Sequence, residues 1–98
     1  MIRSFTDSHF KAGTTEAVFN GECPKGFPAD LQKVARRKLG MVDAASVLDD
    51  LKSPPGNKLH ALDKDRAGQH AIWINGQYRI CFVWTETGPE NVEITDYH

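Results

Sequence analysis

The hydrophobic period of this chain changes at Ser53-Pro54-Pro55-Gly56. Before it, Leu31, Val34, Ala35 and Leu39 recur at helical spacing, and Ala44, Val47, Leu48 and Leu51 repeat at i, i+3, i+4 and i+7. After it, apolar and polar residues alternate in short runs, the mark of half-buried strands. Proline removes a backbone donor and clashes with the preceding turn, so this segment stops a helix decisively. Helices must therefore come first and a sheet second. In a chain of 98 residues that predicts one domain, residues 1–98, of the α+β class, with two N-terminal helices packed on a small, twisted, mainly antiparallel sheet in two layers.

The finer reading runs as β-α-α-β-β-β-β. Ile2 to Phe5 is expected as a short first strand, and Asp7 or Ser8 as the cap of a weak helical stretch reaching Val18-Phe19. Gly21 to Pro28 reads as loop, Pro28 opens the next helix, and Asp43 is the expected cap of the second one. The strands fall at Lys58 to Leu62, Gln69 to Ile74, Gln77 to Trp84 and Val92 to Tyr97, with Thr87-Gly88-Pro89 as a turn. Asn75-Gly76 predicts a two-residue hairpin. That loop would set Ile74 opposite Gln77, Trp73 opposite Tyr78 and Ile72 opposite Arg79. Ala71 and Trp73 would then join Tyr78, Ile80 and Phe82 toward the helices, while Arg79 points away beside His70 and Cys81. A one-residue slip is expected to bury Arg79, so the register matters.

Bulk charge offers no attraction to nucleic acid, because the formal net charge is only -1. A nucleic-acid role would have to rest on a patch. Lys33, Arg36, Arg37 and Lys38 form one such group, which reads either as an anchor for RNA phosphates or as an ordinary solvated helix face. Cys23 and Cys81 have no metal-ligand spacing, and Cys81 is expected as a small buried strand residue. No secretory or membrane-spanning stretch is evident, which makes a reducing cytoplasm the expected location and a membrane role unexpected.

The chain ends on an acid, a phenol and an imidazole, Asp96-Tyr97-His98, after the strand-like run Asn91 to Thr95. All three can move or orient protons. Arg79, in mid-strand on the face away from the core, is free to meet an anion.

Several fragments, in this order and spacing, resemble the HigB branch of the RelE/ParE toxin superfamily. They are Arg36-Arg37-Lys38-Leu39, Asp43-Ala44-Ala45, Lys58-Leu59-His60-Ala61-Leu62, Arg66-Ala67-Gly68, Asn75 to Phe82 and Asp96-Tyr97-His98. Ser53 to Asn57 and Trp84-Thr85-Glu86 look most similar to GraT-type members of that branch. The resemblance implies a bacterial toxin that enters the ribosomal A site and cuts messenger RNA there without a metal or other cofactor. It implies a HigA-like helix-turn-helix antitoxin as partner, with operator DNA bound only through that antitoxin.

The family's positions fall on His60, Lys64, Arg79, Asp96, Tyr97 and His98. Metal-free RNA cleavage needs a base for the 2′-OH, a cation for the phosphorane and an acid for the leaving oxygen. Arg79 suits the phosphate, because its planar fork grips two oxygens. Its ordinary alternative is a plain surface residue or an internal salt-bridge partner. Asp96 is the expected base or orienting group, and His98 the expected acid. Tyr97 donates a hydrogen bond, stacks on a base, or forms an edge of the core. His60 reads equally as a site residue and a surface histidine. Lys58, Lys64, Arg66, Lys33, Arg36 and Arg37 are expected to contact RNA. His70 is expected to be structural, and His9 an exposed helix residue. Two competing functions share the expected fold: a non-enzymatic, ParE-like gyrase inhibitor, and a weakened toxin acting mainly as co-repressor with its antitoxin.

Overall fold

The computed structural model describes residues 1–96. Helix α1 (Thr14–Phe19) and helix α2 (Gln32–Ala44) precede four strands, β1 (His60–Ala61), β2 (His70–Trp73), β3 (Arg79–Thr85) and β4 (Gly88–Thr95). The strands form one antiparallel sheet in chain order. Helices first and sheet second is the α+β order read from the sequence. Residues beside Phe5 add a short parallel ladder along β4. Phe5 bridges Val92, Val92 N–H donates to Ser4 O (3.0 Å), and Thr6 N–H donates to Val92 O (3.0 Å).

The core lies between the helices and one face of the sheet. Leu31, at the cap of α2, and Ala35, Leu39 and Val42 within it bury one stripe, while Lys33, Arg36 and Arg37 remain exposed. Ile72, Ile80, Phe82, Val92 and Ile94 meet that stripe from the sheet, and Leu51 fills in beside them. Lys38 departs from the basic face expected of it: it is 7% exposed and donates to Asn57 Oδ1 inside the protein.

Asp7 caps α1 from a distance. Its carboxylate accepts from Gly13 N–H (3.0 Å), Thr15 N–H (3.3 Å) and the Thr15 hydroxyl (2.6 Å). The helix therefore starts at Thr14, and residues between Asp7 and Gly13 loop outward. The expected second helix is also different. α2 runs through Asp43, whose Oδ1 instead accepts from Ile2 N–H (2.9 Å). Asp50 Oδ2 takes the N–H groups of Ser46 (2.9 Å) and Val47 (3.2 Å), and only a 3₁₀ turn, Leu48–Lys52, follows.

The hairpin corrects the expected register. Trp73 pairs with Arg79, Ile72 with Ile80, Ala71 with Cys81 and His70 with Phe82. The cause is the Asn75 side chain, whose Oδ1 accepts from Gln77 N–H (2.8 Å) and Tyr78 N–H (2.7 Å). This Asx turn lengthens the loop, which closes where Ile74 N–H donates to Tyr78 O (3.0 Å). Neither Asn75 nor Gly76 takes the positive φ that a type I′ turn needs. β2 is thereby turned over relative to the expectation. Ile72 and Ile74 enter the core, Trp73 joins Arg79 outside, and His70 moves to the Phe82 side. The slip leaves Arg79 facing out, because it is β2 and not β3 that changes sides.

The tight turn at the other end is Glu86-Thr87, so Pro89 lies within β4 opposite Trp84 rather than in the turn.

Candidate functional site

Cross-strand partners project to the same side of a sheet, so the register dictates what the helix-free face displays. One row runs His60, Ala71, Cys81, Glu93; the next runs Trp73, Arg79, Thr95. Lys58, two residues before His60, shares that side. Its ammonium lies 4.0 Å from the centre of the Trp73 ring, and the Arg79 guanidinium carbon lies 3.8 Å from the same centre. Both cations are held by the ring's negative face.

Arg79 is also fixed from behind. Its Nη1 donates to Asn75 O (2.6 Å) and Tyr78 O (3.1 Å), and its Nη2 to Gly76 O (3.3 Å). The loop that sets the register thus also orients the guanidinium. His60 Nδ1 lies 2.8 Å from Lys58 O. A carbonyl only accepts, so in this contact Nδ1 carries the proton.

Arg66 completes the basic group from the 3₁₀ turn Lys64–Arg66. Its Nη1 pairs with Glu93 Oε1 (3.0 Å) and donates to Gln69 Oε1 (3.0 Å). Glu93 has a side chain only 5% exposed and also accepts from Ser8 N–H (2.7 Å) and the Ser8 hydroxyl (2.9 Å). Beneath this group, burial pushes the Cys81 thiol up to about 11. Glu93 adds to the rise, and Arg66 and Arg79 oppose it.

The structure brings Lys58, His60, Arg66 and Arg79 to one face. Asp96 follows Thr95, the partner of Arg79, and its Oδ2 accepts from Gln77 Nε2 (2.9 Å) in the hairpin loop. Tyr97 and His98 lie outside the described residues. Lys64 is exposed, with φ of +53°. Lys33, Arg36 and Arg37 belong to α2, on the other side of the sheet. The Arg36 guanidinium carbon stands 3.1 Å from where a Cβ on Gly21 would be, against the turn that ends α1. His9 is exposed as expected, but at a bend rather than in a helix, edge-on to Phe10 and Tyr78.

Sequence reasoning missed Trp73 and Glu93. The two-residue loop expected at Asn75-Gly76 would turn Trp73 toward the core, and the longer loop turns it out beside Arg79. Glu93 could have been found, since it alternates with Val92 and Ile94 on an inward-facing strand, where an acid needs a partner.

Two helices over one face of a four-stranded antiparallel sheet, with arginine, lysine and histidine gathered on the other face, define a small RelE-like α+β protein. The profile of the HigB-like toxin family, described as the RelE-like toxin of the type II toxin-antitoxin system HigB, matches residues 8–98, and the chain belongs to that family. Over 59 residues, 60% of the chain, it is 37% identical to Toxin HigB-1 of Vibrio cholerae serotype O1, and this match spans 62% of that toxin's own length. Over 72 residues, 74% of the chain, it is 33% identical to an uncharacterized protein of Haemophilus influenzae, spanning 71% of it. Among the described residues, no helix is long and apolar enough to cross a membrane.

Proposed function

We propose that this chain is the toxin of a type II toxin–antitoxin pair and acts as a ribosome-dependent endoribonuclease on messenger RNA in the A site. The observation that carries the reading is the fixed Arg79 guanidinium on Trp73, beside Lys58 and His60 on an open sheet face. That arrangement suits a phosphate of single-stranded RNA. The 2′-oxygen attacks phosphorus and the bond to the 5′-oxygen breaks, leaving a 2′,3′-cyclic phosphate and a 5′-hydroxyl. Asp96 takes the 2′-OH proton, His98 gives one to the leaving 5′-oxygen, and Tyr97 supports the base or the phosphate. Arg79 and Lys58 neutralise the charge that grows on the phosphorane. His60 stands at the same face. Lys64 and Arg66 flank the strand of RNA, while Lys33, Arg36 and Arg37 serve ribosomal RNA from the other side.

A HigA-like helix-turn-helix antitoxin neutralises the toxin, which meets operator DNA only through it, and the pair works in the cytoplasm with the ribosomes. In vitro translation followed by primer extension, wild type beside Arg79→Ala, tests this reading. Ribosome-dependent cuts at A-site codons that vanish in the variant support it. Translation without cuts rejects it and leads to a supercoiling assay for a gyrase inhibitor.

One observation favours a second reading. Arg79 already donates to three backbone carbonyls, and Asp96 accepts from Gln77. A site so internally bonded fits a weakened toxin that serves mainly as co-repressor with its antitoxin.

A further inference from the structure

Asn57 is polar and fully buried. Its Oδ1 accepts from the Lys38 ammonium, and its Nδ2 donates to Leu51 O (3.2 Å) and Ser53 O (3.3 Å). One carboxamide therefore ties α2 to the turn Leu48–Lys52 and to the loop after it. Asparagine is suited to this place, since a carboxylate could receive the lysine but could not donate to the two carbonyls. Lys38 in turn is a costly residue to bury. Burial, and then the neighbouring Arg37, lower its pKa from the usual lysine range.

What the Lys38–Asn57 pair fixes is the start of the site. Asn57 ends the 3₁₀ turn Pro55–Asn57, and its own N–H donates to Pro54 O (2.9 Å). The next residue, Lys58, takes φ of +49°, a left-handed conformation unusual for a side-chain-bearing residue. It is held there as its N–H donates to Pro55 O (3.1 Å). From that kink the chain enters β1 with the Lys58 ammonium over Trp73 and Lys58 O against His60 Nδ1.

We infer that Asn57, gripped by Lys38 from inside the protein, is a positioning residue that sets the Lys58 ammonium and the His60 ring on the Trp73–Arg79 face. This rests on the ribonuclease reading of that face. Lys38 thus acts through the core, unlike its exposed neighbours Arg36 and Arg37.

The test uses the full chain in a Trp84→Phe background, so that Trp73 is the remaining indole. Lys38→Met with Asn57→Leu removes both polar partners together, which spares the fold an orphaned charge. The double variant is expected to retain its circular dichroism, to show the same change in Trp73 emission as Lys58→Met, and to cut messenger on the order of 10-fold to 100-fold more slowly. Trp73 emission like that of the parent overturns the inference, as does parental cleavage despite altered emission. If the double variant does not fold, Asn57→Asp is measured instead. It keeps the acceptor for Lys38 but loses both donors, so a shift toward the Lys58→Met spectrum supports the inference and an unchanged spectrum overturns it. A parent that does not cut RNA at all defeats the ribonuclease reading alone, because the emission still reports where Lys58 lies.

Discussion

Arg79 and Trp73 are cross-strand partners, and the guanidinium carbon of the first stands 3.8 Å from the ring centre of the second. The cation is therefore held in orientation by a π-face as well as by three loop carbonyls. Lysine at this position would lose the planar fork and most of the stacking. Arg79→Ala and Arg79→Lys are both expected to slow messenger cleavage by roughly 10²-fold to 10³-fold, the usual effect of removing one preorganised charge donor. Circular dichroism should be unchanged, because the side chain lies outside the core. Single-turnover cleavage on translating ribosomes measures this, and parental rates for Arg79→Lys would dismiss the geometric argument.

Trp73→Leu should weaken the site without touching a catalytic group. Each cation over an indole contributes about 0.5–1 kcal/mol, and two cations share this ring, so cleavage is expected to fall roughly 10-fold. A Trp73→Leu protein as active as the parent would show that Lys58 and Arg79 are placed by the backbone alone.

The Arg66–Glu93 pair is expected to be structural first. Glu93→Ala takes the carboxylate away from Arg66, which keeps Gln69, and from the Ser8 donors in a nearly closed site. Removing one partner of a buried pair costs about 3–5 kcal/mol; water reaching Arg66, whose side chain is 22% exposed, reduces this to about 2–3 kcal/mol. Urea unfolding followed by circular dichroism reads the loss directly. An unchanged midpoint would mean that the pair contributes nothing.

The two thiols should separate cleanly. Cys23 is exposed and Cys81 is buried. A disulfide-exchange reagent is expected to modify Cys23 in the native protein and Cys81 only after unfolding. The pH dependence has a definite sign. Cys81 is raised from 9.0 to about 11 in the fold, so the fold favours the neutral thiol. That contribution is complete below pH 9, and is lost as the pH rises toward 11 and the unfolded chain ionises first. Cys81→Ala should remove this part of the alkaline decline in melting temperature, and an identical decline in both proteins would refute it.

The division into helices and sheet was legible because Pro54 and Pro55 act locally and the apolar period changes across them. The outward direction of Arg79 was equally legible. Alternation along β3 sets Ile80 and Phe82 against Arg79 and Cys81, whichever residues they face on β2. The side taken by Trp73 was not, since it depends on loop length, and loop length depends on where one Asn75 oxygen finds its donors. Lys38 looked like its neighbours Arg36 and Arg37 because its partner, Asn57, lies on a separate turn. The helix expected after Asp43 failed for a similar reason. Its apolar spacing is compatible with a tighter turn, and Asp50 takes the donors that would have continued it. Of the terminal acid, phenol and imidazole, Asp96 lies at the hairpin end of the site, next to Gln77.

The ladder that residues near Phe5 form along β4 has a further consequence. An outermost strand is a template on which another copy of the chain can pair and grow into aggregates. Here that template is already occupied on one side, where Ser4 and Thr6 bond to Val92 and Arg3 N–H to Pro89 O (2.8 Å). The opposite margin, β1, is only His60 and Ala61 long. Two copies of this chain therefore find little unpaired backbone at that margin through which to zip together.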